Sequence, residues 1–400
     1  MPSEMKMSEV YLDNAATTKL DPAVKVEMDK CFEYFGNPGS FHSTGLKAKR
    51  ILENIRVKAA GLLNCSPKSV IFTGSGTESI NLAIQGVARS NKNKKHIITT
   101  KIEHKAALQT CEYLQTHEGF DVTYLDVDKH GFVSPDSLND AIREDTALIT
   151  IGYANNEIGT VQNIKELAAV AKKNGVIFHT DACQAAGYLN TDVSELDVDL
   201  MTVNGSKLYG PKGVGLLYVR PGIRIHPLIH GGGQEFGLRA GTENIPIIAG
   251  FVKALEIARQ SQKEEAKRLA ELRDYFIGEL LRIPKTLLNG PKDSRLPNNV
   301  NVSFIDIEGE ALLLLLDNKG IYASSGSACT SNTLDPSHVV IATGVPYEVA
   351  HGSIRFTLGR HTTKKELDYV LSVLPGFVHK LREISPVNLE MEEVTNESSS

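Results

Sequence analysis

The sequence predicts an α/β fold, in which a large domain with a mostly parallel sheet flanked by helices is joined to a smaller α+β domain. Three observations support this. Short β-rich runs alternate with helical patterns between about residues 69 and 219, which is typical of βαβ units. A long charged helical segment follows at about 252–281, and a shorter set of strand and helix patterns comes after it. The length of 400 residues suits two to three domains, or one large α/β domain with a smaller companion.

The predicted large domain contains seven strands, each rich in β-branched and other apolar residues. They are SVIFT (69–73), HIITT (96–100), VTYLDV (122–127), LITIGY (148–153), VIFHTD (176–181), LMTV (200–203) and GLLYV (215–219). Two of the segments between them carry apolar residues at helical spacing. Those stripes are Ile80, Ala83, Ile84, Val87 and Ala88, and Ile164, Leu167, Ala168 and Ala171.

The C-terminal part predicts a strand (299–304), a helix (308–318), a segment rich in serine around the fifth cysteine, a strand (353–358) and a closing helix (364–382). We therefore expect four regions. They are an N-terminal segment packing with the small domain (1–14), a large cofactor-binding domain (15–260), a small domain carrying the cysteine segment (261–385) and an acidic flexible tail (386–400).

Composition argues against several classes of function. The net charge of -5 argues against a nucleic-acid surface, and no apolar run approaches the roughly 18 residues of a membrane span. The N-terminus shows no targeting pattern. The five cysteines are odd in number and widely scattered, which is typical of reduced thiols and predicts a cytoplasmic protein. No CxxC spacing or histidine cluster indicates a metal site of the protein's own.

Polar residues follow five of the predicted strands. They are GSGTES (74–79), His104, the pair Asn155 and Asn156, Asp181 and Lys207. Each alone has an ordinary explanation as a turn, a helix cap or an exposed side chain. GSGTES is not a dinucleotide fingerprint, because Ser79 occupies the third glycine position, and GPKGVG (210–215) is not a Walker A motif.

Ligands of parallel sheets bind beyond the carboxyl ends of the strands, so these residues are expected to meet at one edge. A phosphate cup, a flat-ring neighbour, a carboxylate and a lysine are what pyridoxal 5'-phosphate requires. The lysine forms a Schiff base, and the carboxylate keeps the pyridine nitrogen protonated so that the ring can act as an electron sink.

Ten motifs along nearly the whole chain carry a resemblance to a known family. They are YLDNAATT (11–18), GNPGSFHSTG (36–45), GTESINLAIQG (76–86), EHKAAL (103–108), NNEIGTVQ (155–162), HTDACQ (179–184), KLYGPKGVG (207–215), HGGGQE (230–235), SSGSACTS (324–331) and SIRFTLGR (353–360). The chain resembles cysteine desulfurases of the NifS/IscS type, which are pyridoxal-phosphate enzymes of fold type I related to class V aminotransferases.

The resemblance implies a role for each site residue. The catalytic residues would be Lys207, which forms the Schiff base, His104, which stacks on the pyridine and moves protons, and Cys329, which takes sulfur from the substrate. Arg355 would bind the substrate carboxylate together with Asn156. The cofactor-binding residues would be Gly76, Thr77, His104, Asn156, Asp181, Gln184, Asn204, Ser206, Lys207 and Thr242, with Thr242 reaching the phosphate of the other subunit of a homodimer.

Cys329 lies in YASSGSACTSN (322–332), a run of small polar residues. A loop of this composition would allow the thiol to reach the cofactor and then swing out. Its length resembles the branch of the family that feeds iron–sulfur assembly and tRNA thiolation. The implied partners are a scaffold protein or a tRNA-thiolation sulfur acceptor, and Cys329 could transiently contact an iron–sulfur cluster held by the scaffold.

The sequence departs from the family at four positions. Ser206 stands where most members have histidine, Asn204 where they have serine, and Phe236 where many have arginine, while Cys183 is unusual. We expect conversion of L-cysteine to L-alanine with a persulfide on Cys329. The alternatives are a selenocysteine lyase or another class V aminotransferase-like or β-eliminating enzyme. A non-enzymatic scaffold would not need Lys207.

Overall fold

The computed structural model describes residues 9–91, 93–325 and 335–389 of the chain. Within these ranges the chain forms twelve strands and twelve α-helices. The strands are β1 (Val10–Tyr11), β2 (Val70–Thr73), β3 (His96–Thr100), β4 (Asp121–Leu125), β5 (Thr146–Thr150), β6 (Ile177–Asp181), β7 (Leu200–Asn204), β8 (Gly215–Val219), β9 (Thr286–Leu288), β10 (Asn299–Phe304), β11 (Ile321–Tyr322) and β12 (Ser353–Thr357). The helices are α1 (Pro22–Cys31), α2 (Ser43–Leu63), α3 (Gly76–Ser90), α4 (Lys105–Glu118), α5 (Pro135–Ala141), α6 (Ile164–Lys173), α7 (Val193–Leu196), α8 (Ile245–Leu280), α9 (Gly309–Asp317), α10 (His338–Ala342), α11 (Tyr347–Ala350) and α12 (Lys364–Ile384).

The main sheet has seven strands in the order β2-β8-β7-β6-β5-β3-β4. Strands β7, β6, β5, β3 and β4 are parallel, so the prediction of a mostly parallel sheet is confirmed. Strand β8 runs antiparallel to both β2 and β7. The connection from β7 to β8 contains only a short 3-10 turn (Gly205–Lys207) and no crossover helix, so β8 returns beside β7 in the opposite direction.

The strands of this sheet are buried because helices cover both faces. Every residue of β2, β3, β5 and β8 is buried, as expected for an apolar strand that packs against helices on each side. The apolar stripes predicted at helical spacing lie on α3 and α6, and their residues are buried. The sequence pattern therefore placed both helices and both of their buried faces.

Two helices begin at the edge of the sheet where the parallel strands end. Ser75 caps α3, since its side chain accepts a hydrogen bond from the Glu78 backbone N–H at 3.0 Å. His104 caps α4 in the same way, with Nδ1 accepting from the Ala106 N–H at 3.1 Å. Both caps satisfy N–H groups that lack partners within the helix. The two helix starts lie at the same edge of the sheet because α3 follows β2 and α4 follows β3.

The C-terminal part forms an antiparallel sheet in the order β12-β10-β9. Helix α9 packs against β12, and α12 packs against α9. Strand β1 pairs in parallel with β11, and Asp13 forms a bridge with Thr357. Residues 10–13 therefore contact the C-terminal part of the chain. The predicted domain boundaries stay a prediction. Of the predicted acidic tail, Leu389 accepts a hydrogen bond from Lys285, and residues 390–400 lie outside the described residues.

Helix α8 connects the two sheets without interruption over 36 residues. It contacts α1 and α2 on one side and β10 and α12 on the other. Glu256 forms an ion pair with Lys58 of α2 at 2.8 Å. Further along, Arg273 donates to the backbone carbonyl of Arg295 at 3.1 Å. The long charged helix that the sequence predicts at about 252–281 thus begins seven residues earlier than expected.

A buried ion pair fixes the turn Gln234–Gly237 against β2. The guanidinium of Arg56 donates from Nη1 and Nη2 to the two carboxylate oxygens of Glu235, each at 2.7 Å. Glu235 also accepts from the Phe72 backbone N–H at 2.8 Å. Both charged side chains are almost fully buried. Breaking such a pair leaves an uncompensated buried charge, so this contact strongly constrains the turn.

Among the helices of the described residues, none is both long enough and apolar enough to cross a membrane.

Candidate active site

A cavity of about 380 Å³ lies at the carboxyl ends of the parallel strands, as the fold class requires. It brings together nine of the residues that the sequence singled out, and it is also lined by residues 15 and 16. The nine are Gly76, Thr77, His104, Asn156, Asp181, Gln184, Asn204, Lys207 and Arg355. Their roles stay predictions, but their assembly in one cavity is a property of the structure.

Asp181 is the last residue of β6, and its Oδ1 accepts the Cys183 backbone N–H at 2.9 Å. Two residues earlier, His179 is buried between Thr150 and Thr202, with hydrogen bonds of 2.8 and 3.0 Å to their hydroxyls. Burial lowers the pKa of His179 to about 4, so its imidazole is neutral near pH 7. The neutral ring holds the end of β6 in place without adding a charge beneath Asp181.

Lys207 ends the short 3-10 turn after β7, and its Nζ donates to the Ala16 carbonyl at 2.5 Å. Burial lowers the pKa of Lys207, and the charge of Arg355 acts in the same direction, while Cys183, Asp181 and Asp13 oppose them. A lowered pKa increases the uncharged fraction of the amine, which is the form that acts as a nucleophile and as a base.

His104 presents one ring nitrogen to the cavity. Its Nδ1 accepts from Ala106, so the neutral ring carries its proton on Nε2. Burial lowers the pKa of His104, which favours the neutral imidazole, although Asp181 and Glu157 act in the opposite direction. A neutral ring with Nε2 free of the helix cap can lie against a flat ligand and exchange protons with it.

The start of α3 provides an anion site next to Asn204. Gly76 and Thr77 line the cavity, and the first N–H groups of a helix favour phosphate. A Cβ at Gly76 would lie 2.9 Å from Cys183 Sγ and 3.1 Å from Asn204 Cβ, so the backbone approaches its neighbours as only glycine allows. Thr77 is exposed at the mouth of the cavity.

Asn204 and Ser206 differ in where the structure places them. Asn204 lines the cavity, and its Oδ1 accepts the Ser206 backbone N–H at 3.2 Å. Ser206 is not among the described residues that line the cavity, and its carbonyl accepts a hydrogen bond from Thr18 Oγ1 at 3.0 Å. A phosphate contact by the Ser206 hydroxyl stays a prediction.

Arg355, on β12, enters the cavity from the C-terminal sheet and is buried. Nη2 donates to Asp13 Oδ1 at 2.9 Å, and Nη1 donates to the Asn156 carbonyl at 3.1 Å. Its Nε is buried with no partner among the described residues. A buried guanidinium with an unused donor is suited to bind a carboxylate ligand. Gln184 also lines the cavity and donates from Nε2 to the Ala15 carbonyl at 3.0 Å.

Two predicted site residues are not part of this cavity. Thr242 is exposed on the surface, which leaves its predicted reach to a second subunit untested. Cys329 lies outside the described residues, so its predicted movement between the cofactor and the surroundings stays a prediction.

The cavity also contains ionisable groups that sequence reasoning missed. Glu103 is buried and accepts from the Gly152 N–H at 2.9 Å and from Thr100 Oγ1 at 2.8 Å. Burial raises the pKa of Glu103 to about 7. Glu157, His338 and Lys105 line the cavity as well. For Glu103, Lys105 and Glu157 the available signal was their position beside residues already singled out, in EHKAAL and NNEIG; His338 lies in neither motif.

The donor set fits pyridoxal phosphate. A helix start with a glycine that approaches its neighbours closely suits the phosphate, Asp181 suits the pyridinium nitrogen and Lys207 suits the aldehyde carbon. The fold and this cavity define a pyridoxal-phosphate enzyme of fold type I. The chain belongs to the Aminotransferase class-V family, which matches residues 10–370.

Several relatives of the chain have a more specific name. The chain is 52% identical over 385 residues to Cysteine desulfurase IscS of Dictyoglomus turgidum, covering 96% of this chain and 98% of the relative. It is 53% identical over 380 residues to Cysteine desulfurase IscS of Methanosarcina thermophila, covering 94% of each. A solved structure described as a NifS-like protein superposes with a TM-score of 0.88 at 40% identity, covering 94% of this chain and 100% of that one. The predicted family and fold type are confirmed.

Proposed function

We propose that the protein is a pyridoxal-phosphate-dependent cysteine desulfurase, which converts L-cysteine to L-alanine and carries the removed sulfur as a persulfide on Cys329. The observation that carries the proposal is the meeting of Lys207, Asp181 and His104 in one cavity with the buried guanidinium of Arg355. Relatives about 50% identical to this chain over nearly its full length are named Cysteine desulfurase IscS, which supports the same reaction.

We assign the cofactor contacts by chemistry. Asp181 would hold the ring nitrogen, His104 the ring face, and Lys207 the aldehyde carbon covalently. The phosphate would be held by Gly76, Thr77, Asn204 and Ser206, and the ring oxygen by Asn156 and Gln184. When bound, pyridoxal phosphate supplies an electron sink that stabilises negative charge at the substrate α-carbon.

Lys207 and His104 move the protons of the reaction. The lowered pKa of Lys207 leaves its Nζ more often uncharged, so Nζ can accept the α-proton of L-cysteine. His104 exchanges protons through Nε2, because Nδ1 is occupied by the Ala106 N–H. Together they return a proton to the Cβ atom from which sulfur departs.

Arg355 orients the substrate. Two of its donors are already held by Asp13 and the Asn156 carbonyl, so the guanidinium has one fixed position when L-cysteine arrives. Nε, which is buried without a partner among the described residues, would donate to a carboxylate oxygen of the substrate. With the carboxylate held there, the α-proton can be directed toward Lys207.

The sulfur transfer balances without an external oxidant. The Cys329 thiolate forms an S–S bond to the substrate sulfur as the substrate Cβ–S bond breaks. The thiol proton and the α-proton supply the hydrogen that Cβ and Cα carry in alanine. The Cys329 sulfur is oxidised to a persulfide, and the substrate Cβ is reduced to a methyl group.

The other four thiols are poor nucleophiles for this step. Burial raises the pKa of each, to about 11 for Cys65 and about 12 for Cys111, above the usual value for Cys31 and well above it for Cys183. The thiolate is the reactive form, so these cysteines are almost fully protonated near pH 7. Cys183 lines the cavity, yet this protonation argues against it as the sulfur acceptor.

We further propose a cytoplasmic homodimer that delivers sulfur to an iron–sulfur scaffold protein or a tRNA-thiolation acceptor. Three exposed phenylalanines within ten positions of the chain, Phe32, Phe35 and Phe41, support an interface, since exposed large apolar side chains often mark one. Thr77 is exposed at the cavity mouth, so Thr242 of a second subunit could reach the phosphate position.

The deciding experiment mixes the purified holoenzyme with L-cysteine and quantifies L-alanine and protein-bound persulfide. Equal amounts of L-alanine and protein-bound persulfide in a single turnover of the wild type support the proposal. The Cys329→Ala variant should release no free sulfide. Pyruvate and sulfide would indicate a β-eliminating lyase. A strong preference for L-selenocysteine with little alanine from L-cysteine would indicate a selenocysteine lyase.

A further inference from the structure

Both ends of the segment that carries Cys329 join the rest of the fold at the cavity. On the N-terminal side, Ser324 is buried and pairs with Arg355 through two backbone hydrogen bonds, of 3.1 and 2.6 Å. On the C-terminal side, Ser337 is buried and His338 lines the cavity. Cys329 lies five residues after Ser324 and eight before Ser337 in the chain. The positions of these two ends therefore limit where its thiol can go.

Ser337 makes three hydrogen bonds with one hydroxyl. It caps α10, because its Oγ accepts from the Val339 and Val340 N–H groups, each at 3.2 Å. The same hydroxyl donates its proton to Glu157 Oε2. The acceptor is a buried carboxylate, so this is the stronger, charge-assisted kind of hydrogen bond. The C-terminal end of the segment is thus tied to a residue of the cavity wall.

Glu157 is itself held by both sheets. Its N–H donates to Asn155 Oδ1 at 2.9 Å within the loop that follows β5. Its carbonyl accepts from the side-chain amides of Asn299 and Asn301 of β10, at 2.9 and 3.0 Å. A carboxylate fixed on such a backbone is a rigid point of attachment. The proton transfers described above do not use Glu157, and the contact described for its carboxylate is the hydrogen bond from Ser337.

We propose that Glu157 and Ser337 are positioning residues for sulfur transfer: their hydrogen bond anchors the C-terminal end of the Cys329 segment to the cavity wall and so sets the reach of the Cys329 thiol. This inference rests on the proposed role of Cys329 as the sulfur acceptor. Neither residue is assigned a contact with the reacting atoms, so both act through Cys329.

The anchor matters because a nucleophile attacks only within a narrow range of geometry. A displacement of about 1 Å from a near-attack position can lower a rate by about 100-fold. Losing the anchor should therefore slow persulfide formation while cofactor content and L-cysteine binding persist, since Lys207, Asp181 and Arg355 keep their own contacts. The separation of these effects distinguishes positioning from general loss of structure.

The test compares Ser337→Ala, Glu157→Ala and the double variant as holoenzymes. Single-turnover mixing with L-cysteine gives the rate of persulfide formation on Cys329, and a spectral titration gives the dissociation constant for L-cysteine. We expect each single variant to be about 10- to 100-fold slower, with the dissociation constant within about threefold of the wild type. The double variant should be no slower than the slower single variant, because both substitutions remove the same hydrogen bond.

Two further variants sharpen the test. Glu157→Gln keeps an oxygen that can accept from Ser337, so it should retain most of the rate that Glu157→Ala loses. Ser134→Ala removes the hydroxyl that caps a different helix, α5, and should leave the rate unchanged. Hydrogen exchange at Val339 and Val340 should rise in Ser337→Ala and Glu157→Ala but not in Ser134→Ala, independently of activity.

The inference is overturned if the losses of the two single variants multiply in the double variant, if both single variants transfer sulfur at the wild-type rate, or if Glu157→Gln is as slow as Glu157→Ala. If Ser337→Ala does not fold, Glu157→Ala breaks the same hydrogen bond from the other side and decides the matter. If the wild type forms no persulfide on Cys329, both the proposed function and this inference are refuted. If the wild type is active but the rate losses of the single variants multiply in the double variant, only the inference is refuted.

Discussion

Replacing Glu235 with alanine is expected to lower the free energy of unfolding by about 3–5 kcal/mol. The Glu235 carboxylate accepts two hydrogen bonds from Arg56 at 2.7 Å and one from the Phe72 N–H at 2.8 Å. Its removal leaves the guanidinium charge buried, with a 2.8 Å hydrogen bond to the Val70 carbonyl as partial compensation. The Phe72 N–H loses its side-chain acceptor as well, so the cost combines an unpaired charge and an unsatisfied donor.

The assay is equilibrium unfolding in urea, in which a lower midpoint at an unchanged slope reports lost stability. The matched control is Glu53→Ala, since Glu53 lies 3.5 Å from Nε of the same Arg56 but its side chain is 46% exposed. An exposed pair contributes at most about 1 kcal/mol, so this variant should stay close to the wild type. Replacing both partners, as Arg56→Met with Glu235→Leu, should recover most of the loss because no buried charge remains.

The reasoning is refuted if Glu235→Ala and Glu53→Ala lower stability equally, or if the double replacement is less stable than Glu235→Ala alone. The first result would mean that the buried pair has no more effect than an exposed one. The second would mean that shape at this position, and not the unpaired charge, determines the stability.

Three further predictions follow from the site. Lys207→Ala should lose the visible absorption of bound cofactor and all L-alanine formation while remaining folded, whereas Lys105→Ala, which removes the other lysine among the described cavity residues, should keep both. Ser206→Ala should raise the dissociation constant for the cofactor about fivefold, or about 1 kcal/mol, and an unchanged constant would mean that this hydroxyl does not bind the phosphate. Because burial lowers the pKa of His179 from 6.5 to about 4, neutral His179 contributes stability that is fully present above pH 6.5 and is lost as the pH falls toward 4. Unfolding midpoints measured across that range should fall more steeply for the wild type than for His179→Asn, and equal slopes would contradict the assignment.

The elements that the sequence predicted best are those determined by short-range pattern. Apolar runs such as HIITT and GLLYV correspond to fully buried strands, and the stripes of α3 and α6 lie on their buried faces. The reversed direction of β8 was not predicted, because a strand pattern carries no information about direction. Only the absence of a helix between β7 and β8 indicates it.

The candidate site was predictable where a residue type is unusual at a strand end, as with Asp181 and Lys207. It was not predictable for Glu103 and Glu157, because a glutamate in a loop is usually exposed. Their burial depends on contacts distant in sequence, such as those of Glu157 with Asn299 and Ser337. For Ser206, the resemblance to the family predicted a contact between its hydroxyl and the phosphate. The contacts that the structure describes are those of its backbone carbonyl and N–H.

Helix α8 has a consequence for how substrate is bound. Its 36 residues span about 54 Å of unbroken helix. It packs on α1 and α2 on one side and on β10 and α12 on the other, with contacts such as Glu256 to Lys58 and Arg273 to the Arg295 carbonyl. Rotating one sheet against the other would bend this helix and break its i to i−4 hydrogen bonds. The width of the cavity between Arg355 and Asp181 is therefore largely set before L-cysteine arrives. When the form that binds substrate is already the major form, the apparent affinity equals the intrinsic affinity. No binding free energy is then spent on populating a rarer closed form.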